Sequence, residues 1–385
     1  MTDPLKSLFE LIHENDGIND KDLLAQLICR EFRLIKDRSV FYCREYAIRF
    51  SSSARPNFGN TVLSLSNLRK YDDRPFIVCL VTPVRNFCLI ANTTFLRKIS
   101  HSSQELRENN IRGSFNGSDI VRAFEGISNS TENIRRLYDI HAEIGFEGNL
   151  ARLVEATNNI SPSGSKFTVG DSERQAILEA PDRAIRFVAS SEAHTLKSEL
   201  DYKVEEFKKE ILLAALIDNV NVRGRVIEYL IAGEDEALRQ SLIAALKSDT
   251  PGLPQFRTDN TLGDYRRNFN LFDTETDVKT KVMILSSNPK AYNLDKMLEF
   301  LANSRSVLMF YFVGIDPGKI VNTVLVSMFQ RDLLKATILL RHWAGRNSRG
   351  VSQFEGKAIN ELIENPDSQI DDQAAQEFLS RVIAL

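Results

Sequence analysis

Two aspartates and a lysine, Asp264 and the Asp277-Val278-Lys279 triplet, stand at a spacing that can do chemistry. Side chains of a strand alternate between faces. Over residues 275 to 282 this puts Glu275, Asp277, Lys279 and Lys281 on one side and Thr276, Val278, Thr280 and Val282 on the other. A turn near Asn268 to Leu271 would set Asp264 opposite or diagonal to Asp277, with Cβ atoms about 5 Å apart. Carboxylates that close repel unless a divalent cation bridges them, and an oxygen-rich site suits Mg2+. Lys279, on the same face, can neutralise a phosphate or orient and help deprotonate an attacking water. The parts fit metal-dependent phosphodiester hydrolysis. A cross-strand ion pair on an exposed sheet would use the same three residues. The strand, however, runs on into Met283-Ile284-Leu285 and reads as central rather than edge.

The elements that must position these residues follow a readable order. Helices are expected at about 202–217, 223–231 and 234–247, followed by the breaker-rich segment Thr250 to Pro254. Strands at about 262–269 and 273–287, a helix at 291–303 and an apolar strand at 306–315 come next. Residues 320–345 read as a helix, and a more polar helical tail closes the chain.

Asp264, twelve intervening residues and Asp277-x-Lys279 resemble the signature of the PD-(D/E)xK nuclease superfamily, within type II restriction endonucleases. The order of helix, β-hairpin, helix and strand over about residues 200 to 320 is similar to that family's core. Arg223-Gly224-Arg225-Val226-Ile227-Glu228 supplies a helix with a glutamate where family members often carry an auxiliary metal-binding acid. The chain departs from the pattern at Gly263, where the family name has a proline, and in having Asp277 rather than the commoner Glu before the lysine. The resemblance implies a mixed α/β endonuclease core in which Asp264 and Asp277 hold Mg2+, Glu228 assists and Lys279 positions or activates water. It also implies a sequence-specific enzyme that cuts double-stranded DNA as a homodimer. A DNA-binding protein on an inactive nuclease scaffold, and a structure-specific repair nuclease, are the alternatives.

The remaining sequence is read for what it would add. With 385 residues, 43% of them hydrophobic, and a net charge of −3, the chain suits two globular domains. The charge is uneven: residues 30 to 122 carry a net +8 and residues 123 to 250 a net −7. Concentrated positive charge is what phosphate neutralisation needs. Residues 4 to 36 read as helical, with Asp20 as an N-cap. Short β-branched and aromatic runs from Val40 to Ala91 then suggest a meander or small barrel rather than a βαβ array. Arg112 to Asp119 reads as a loop before a helix starting near Asp119. Segments 131–158 and 172–217 read as helical, and the domain boundary falls between 160 and 195, giving an N-terminal strand-and-helix domain over 1–195 and a catalytic domain over 196–385.

Arg97, Lys98, Arg107, Arg112 and Asn116 supply donors suited to phosphates and base edges, and Lys281 is a further phosphate contact. Gly113 and Gly117 would allow close approach to a phosphate. An unliganded polar loop would have the same composition. No apolar run reaches the roughly 18 residues of a membrane span. Cys29, Cys43, Cys79 and Cys88 lack a CxxC spacing and read as reduced thiols of a cytoplasmic protein. The scattered histidines suggest no zinc site, no glycine motif suggests a nucleotide cofactor, and Ser190-Ser191 with His194 reads as a helix cap.

Overall fold

A computed structural model describes residues 3–105, 111–159, 166–248, 253–254, 262–285, 287–342 and 348–385. The chain forms two compact units, one of residues 1–164 with 342–347 and one of 165–341 with 348–385. Both are mixed α/β. Among the described residues no helix is long and apolar enough to cross a membrane.

The first unit opens with α1 (Pro4–Glu14) and α2 (Lys21–Phe32). Asp20 caps α2 as expected, its carboxylate accepting from the N–H groups of Asp22 and Leu23. Strands β1 (Ile35–Asp37), β2 (Val40–Tyr42) and β3 (Ala47–Ser52) precede β4 (Val62–Ser64) and α3 (Leu65–Tyr71). Then come β5 (Phe76–Val81), β6 (Phe87–Ile90), β7 (His101–Glu105), β8 (Ile111–Asn116), β9 (Ala123–Phe124), β10 (Ile127–Ser128) and the long α4 (Ile134–Asn158).

The main sheet has the order β1-β2-β3-β5-β6, and β3 runs parallel to β5. This corrects the expected meander: a parallel pair needs a crossover, and β4 with α3 provides it. All six residues of β5 are buried, and the alternating sides feed two cores. Ile77, Cys79 and Val81 pack under α1 and α2, while Phe76, Val78 and Leu80 pack with Leu65, Leu68 and Phe115.

The expected loop at 112–119 is also corrected. Ile111 to Asn116 is strand β8, held between β7 and β4, and a 3-10 turn at Gly117–Asp119 replaces the start of a helix. Gly117 is required for packing. A Cβ there would come within 1.3 Å of the Phe58 carbonyl oxygen, so protein backbone already takes the space proposed for a phosphate.

The second unit begins with α5 (Asp171–Leu178), α6 (Ala180–Val188), α7 (Ser191–Glu206), α8 (Lys208–Ala214), α9 (Val220–Ala232) and α10 (Glu236–Lys247). Strands β11 (Tyr265–Asn268), β12 (Asp273–Val282) and β13 (Lys290–Asn293), then α11 (Leu294–Leu301), lead to β14 (Ser306–Asp316) and β15 (Lys319–Ser327). Helix α12 (Arg331–Lys335), β16 (Thr337–His342), β17 (Val351–Phe354), α13 (Gly356–Glu364) and α14 (Asp372–Ala384) complete it. The sheet order is β11-β12-β14-β15. β12 is antiparallel to β11 and parallel to β14, with β13 and α11 in the crossover.

The helix expected over 320–345 is instead β15, α12 and β16. Asp316 and Lys319 pair across Pro317-Gly318, with Gly318 at φ +80°, so a tight turn folds β15 back on β14. The Pro-Gly pair followed by Ile320, Val321, Val324 and Val326 was the sequence signal for that hairpin.

The division at 164/165 lies at the early end of the 160–195 window. A boundary at 195/196 would cut through α7. Residues 165–195 belong with the second unit because the buried Arg183 of α6 donates to the carbonyls of Ala176, Leu301 and Ser306 at 2.6, 2.9 and 3.2 Å. Replacing Arg183 with leucine strips three acceptors of a charged donor. It is expected to lower the unfolding free energy by about 3 kcal/mol in urea denaturation; a loss below about 0.5 kcal/mol would mean α6 is not anchored this way.

Candidate active site

Strand β12 lies between β11 and β14, so the strand read as central is central. Its ionic face is buried: Glu275, Asp277 and Lys281 are 7%, 4% and 3% exposed. Parallel pairing sets Asp277 beside Phe310 and Lys279 beside Phe312, and paired residues project to the same side. Phe310 and Phe312 stack at 5.9 Å, and Phe354 of β17 meets Phe310 edge-on at 5.0 Å. An aromatic wall therefore flanks the two ionic side chains and lowers the local polarity by excluding water.

Asp264 falls opposite Asp277. Tyr265 pairs with Thr276, and the Asp264 N–H donates to the Thr276 carbonyl at 2.9 Å. The Asp264 carboxylate accepts from the Val278 N–H at 2.9 Å and lies within hydrogen-bonding reach of the Asp277 carboxyl. Lys279 makes an ion pair with Asp277. Helix α9, capped by the Asn219 side chain, buries Val226, Ile227 and Leu230, contacts β12, and brings the half-buried Glu228 within electrostatic reach of Lys279 and Asp264.

The titration of these groups follows from that placement. Burial, and then the charge of Asp264, push Asp277 well above the ordinary carboxylate range against the pull of Lys279. Burial is also the main reason Glu228 is pushed up to about 7; Lys279 opposes it and Asp264 adds to it. Burial disfavours the Lys279 ammonium, but the charges of Asp277, Glu228 and Asp264 outweigh this and hold it above its ordinary value. Lys279 is thus a cation at neutral pH. It is suited to neutralising an anion rather than accepting a proton.

Three carboxyls share one lysine, and the excess negative charge needs a proton or a cation. Acceptor-only oxygens in a desolvated pair are the donor chemistry that Mg2+ takes, so the residues fit a hard divalent ion. Among the described residues, no three His, Cys, Asp or Glu side chains are grouped to hold a metal.

The other ionic residues of the strand are committed elsewhere. Glu275 forms an ion pair with Arg266 across the hairpin at 2.9 Å and accepts from the Gly263 N–H at 3.0 Å. Lys281 is corrected as a DNA contact: it is buried, and its ammonium donates to the carbonyls of Leu285 and Ser287, closing the turn after β12. Gly263 has a physical reason. A Cβ there would come within 2.9 Å of the Thr276 nitrogen, and a proline would lack the N–H that Glu275 accepts.

In the first unit, Arg97 and Lys98 are exposed just before β7, Arg112 pairs with Ser103 along β8, and the Asn116 N–H donates to the Asp119 carboxylate at 2.7 Å. Arg107 lies outside the described residues. Ser190 caps α7 by accepting from the Ala193 N–H. Sequence reasoning missed the aromatic wall, although Phe310 and Phe312 share the parity of Asp277 and Lys279 once β12 and β14 are paired. No protein-family model matches the chain, and no curated protein matches it.

The raised Glu228 carboxyl gives a signed prediction. An ordinary Glu titrates near 4.5 and this one near 7, so the folded state holds the proton more tightly than the unfolded chain. The stability due to this group is full below about 4.5 and is lost as pH rises through 7. Denaturation of the native protein and of Glu228→Gln should agree at pH 4.5 and diverge by roughly 1–3 kcal/mol in favour of the variant at pH 8. A constant difference across that range would contradict the burial of Glu228.

Proposed function

We propose that this chain is a Mg2+-dependent endonuclease that hydrolyses phosphodiester bonds of double-stranded DNA at a specific sequence. It would be a cytoplasmic type II restriction enzyme with a PD-(D/E)xK core. The observation that supports this reading is the juxtaposition of Asp277 and Lys279 of the central strand β12 with Asp264 beside β11 across the hairpin, and with Glu228 of α9 within electrostatic reach of them.

Asp264 and Asp277 would hold the metal, with Glu228 assisting; the ion, when bound, supplies positive charge to the phosphate under attack. Lys279 brings its ammonium to a non-bridging phosphate oxygen, offsetting the charge that grows there as a water oxygen bonds to phosphorus and one P–O ester bond breaks. The wall of Phe310, Phe312 and Phe354 keeps bulk water from one side and so strengthens these interactions. Cutting both strands at a palindromic site fits a two-fold homodimer. The uneven charge, net +8 over residues 30 to 122, suits a DNA-facing segment.

A second reading, a DNA-binding protein on an inactive scaffold, is favoured by the Lys279 to Asp277 ion pair, which balances part of the charge without a metal. Incubation of unmethylated plasmid and phage DNA with and without Mg2+ separates the two. Discrete Mg2+-dependent fragments are expected, with the rate falling about 10²–10³-fold or more in Asp277→Ala and Lys279→Ala. A smear would point to a structure-directed nuclease. Intact DNA throughout, under conditions where the protein binds it, would overturn the proposal in favour of the scaffold.

A further inference from the structure

The first unit holds a surface that the site above does not use. Arg122 lies over the ring of Phe58, with its guanidinium carbon 4.4 Å from the centroid. Phe58 meets Phe87 edge-on at 6.3 Å, and Arg85 lies over Phe87 at 4.3 Å. Two arginines are thus joined through two rings, and a third, Arg97, is close enough to repel Arg122. Arg85, Arg97 and Arg122 are all exposed, and none has an ion-pair partner among the described residues.

The surface is built rather than incidental. Phe58 is 3% exposed, and its carbonyl is seated on Gly117, so the ring that carries Arg122 is fixed by the fold. Arg97 and Arg122 flank the bridge between Leu96 and Ile120, with the Arg97 N–H donating to the Asp119 carbonyl at 3.0 Å. A guanidinium stacked on a ring has lost rotamer freedom before any partner arrives, yet its in-plane N–H groups stay free for a planar or tetrahedral oxyanion. Cations held together without counter-charges raise the electrostatic free energy of the unit, and a polyanion relieves it.

We propose that Arg85, Arg97 and Arg122, ordered by Phe58 and Phe87, form a phosphate-backbone contact surface for duplex DNA. The choice of DNA rests on the nuclease reading. The surface contacts phosphates and so fixes register on the duplex rather than reading bases.

The test is fluorescence anisotropy of a short labelled duplex of random sequence against the full chain in EDTA, over a range of NaCl concentrations. Native protein should bind with log affinity falling linearly in log salt. Arg85→Gln and Arg122→Gln should each bind roughly tenfold more weakly and lower that slope by about 0.9. Arg122→Lys, which keeps the charge, should restore the slope, and Tm measurements on each variant separate lost contact from lost fold. Affinities and slopes within twofold of native in both glutamine variants would overturn the proposal, as would no binding by the native chain. Tighter binding of duplex RNA than of DNA would overturn the assignment to DNA. Arginine-dependent binding without Mg2+-dependent cleavage would sink the nuclease reading and leave this surface standing, while cleavage with unaltered binding in the arginine variants would do the reverse.

Discussion

The structure of the second unit depends on one unfavourable contact, the approach of Asp264 to Asp277 on adjacent strands with only Lys279 to balance them. Burying one carboxylate is costly, and burying two side by side costs more unless a proton or cation is shared. A fold selected for stability alone would place threonine or valine there, as β12 does on its other face at Thr276 and Val278. The rise of Asp277 and Glu228 above their ordinary ranges expresses that cost. Groups held off their ordinary titration by burial and by each other are what functional sites collect.

The surrounding scaffold fixes the contact in place. The hairpin register between β11 and β12 sets the two aspartates opposite, and parallel pairing with β14 lays the phenylalanines beside them. Glu275 and Lys281, on the same face, are removed from the chemistry by Arg266 and by the carbonyls after β12. What is left is two aspartates and a lysine, and the charges of Asp264 and Lys279 reach Glu228. Glu228 adds a third carboxyl from a helix anchored independently through its apolar side.

Much of this arrangement was legible in the sequence because it rests on short-range rules. Alternation along residues 275 to 282, the turn after Asn268 and the elements around them depend on period and punctuation, and the structure carries them with bounds shifted by a few residues. What was not legible depended on contacts distant in the chain. The burial of Lys281 needs the turn to Ser287 to close over it, and the parallel pairing of β3 with β5 needs α3 to cross between them. The helix expected at 320–345 failed for a local reason: Pro317-Gly318 and the β-branched residues after it outweigh the apolar spacing that suggested a helix. Arg85, Phe87, Phe58 and Arg122 are spread over more than sixty positions, so only the folded chain stacks them.

If the chain is the Mg2+-dependent nuclease proposed above, the Asp264, Asp277 and Glu228 cluster exchanges a retained proton for a divalent cation. Calorimetric titration of Mg2+ and Mn2+ into the full chain near pH 7, in buffers of different ionisation enthalpy, measures binding and proton release together. Saturable binding with release of roughly one proton is expected, lost in the Asp264→Asn, Asp277→Asn double variant while that variant keeps its fold. Saturable binding that persists in the double variant, or no binding and no metal-dependent rise in Tm in the native chain, would contradict it.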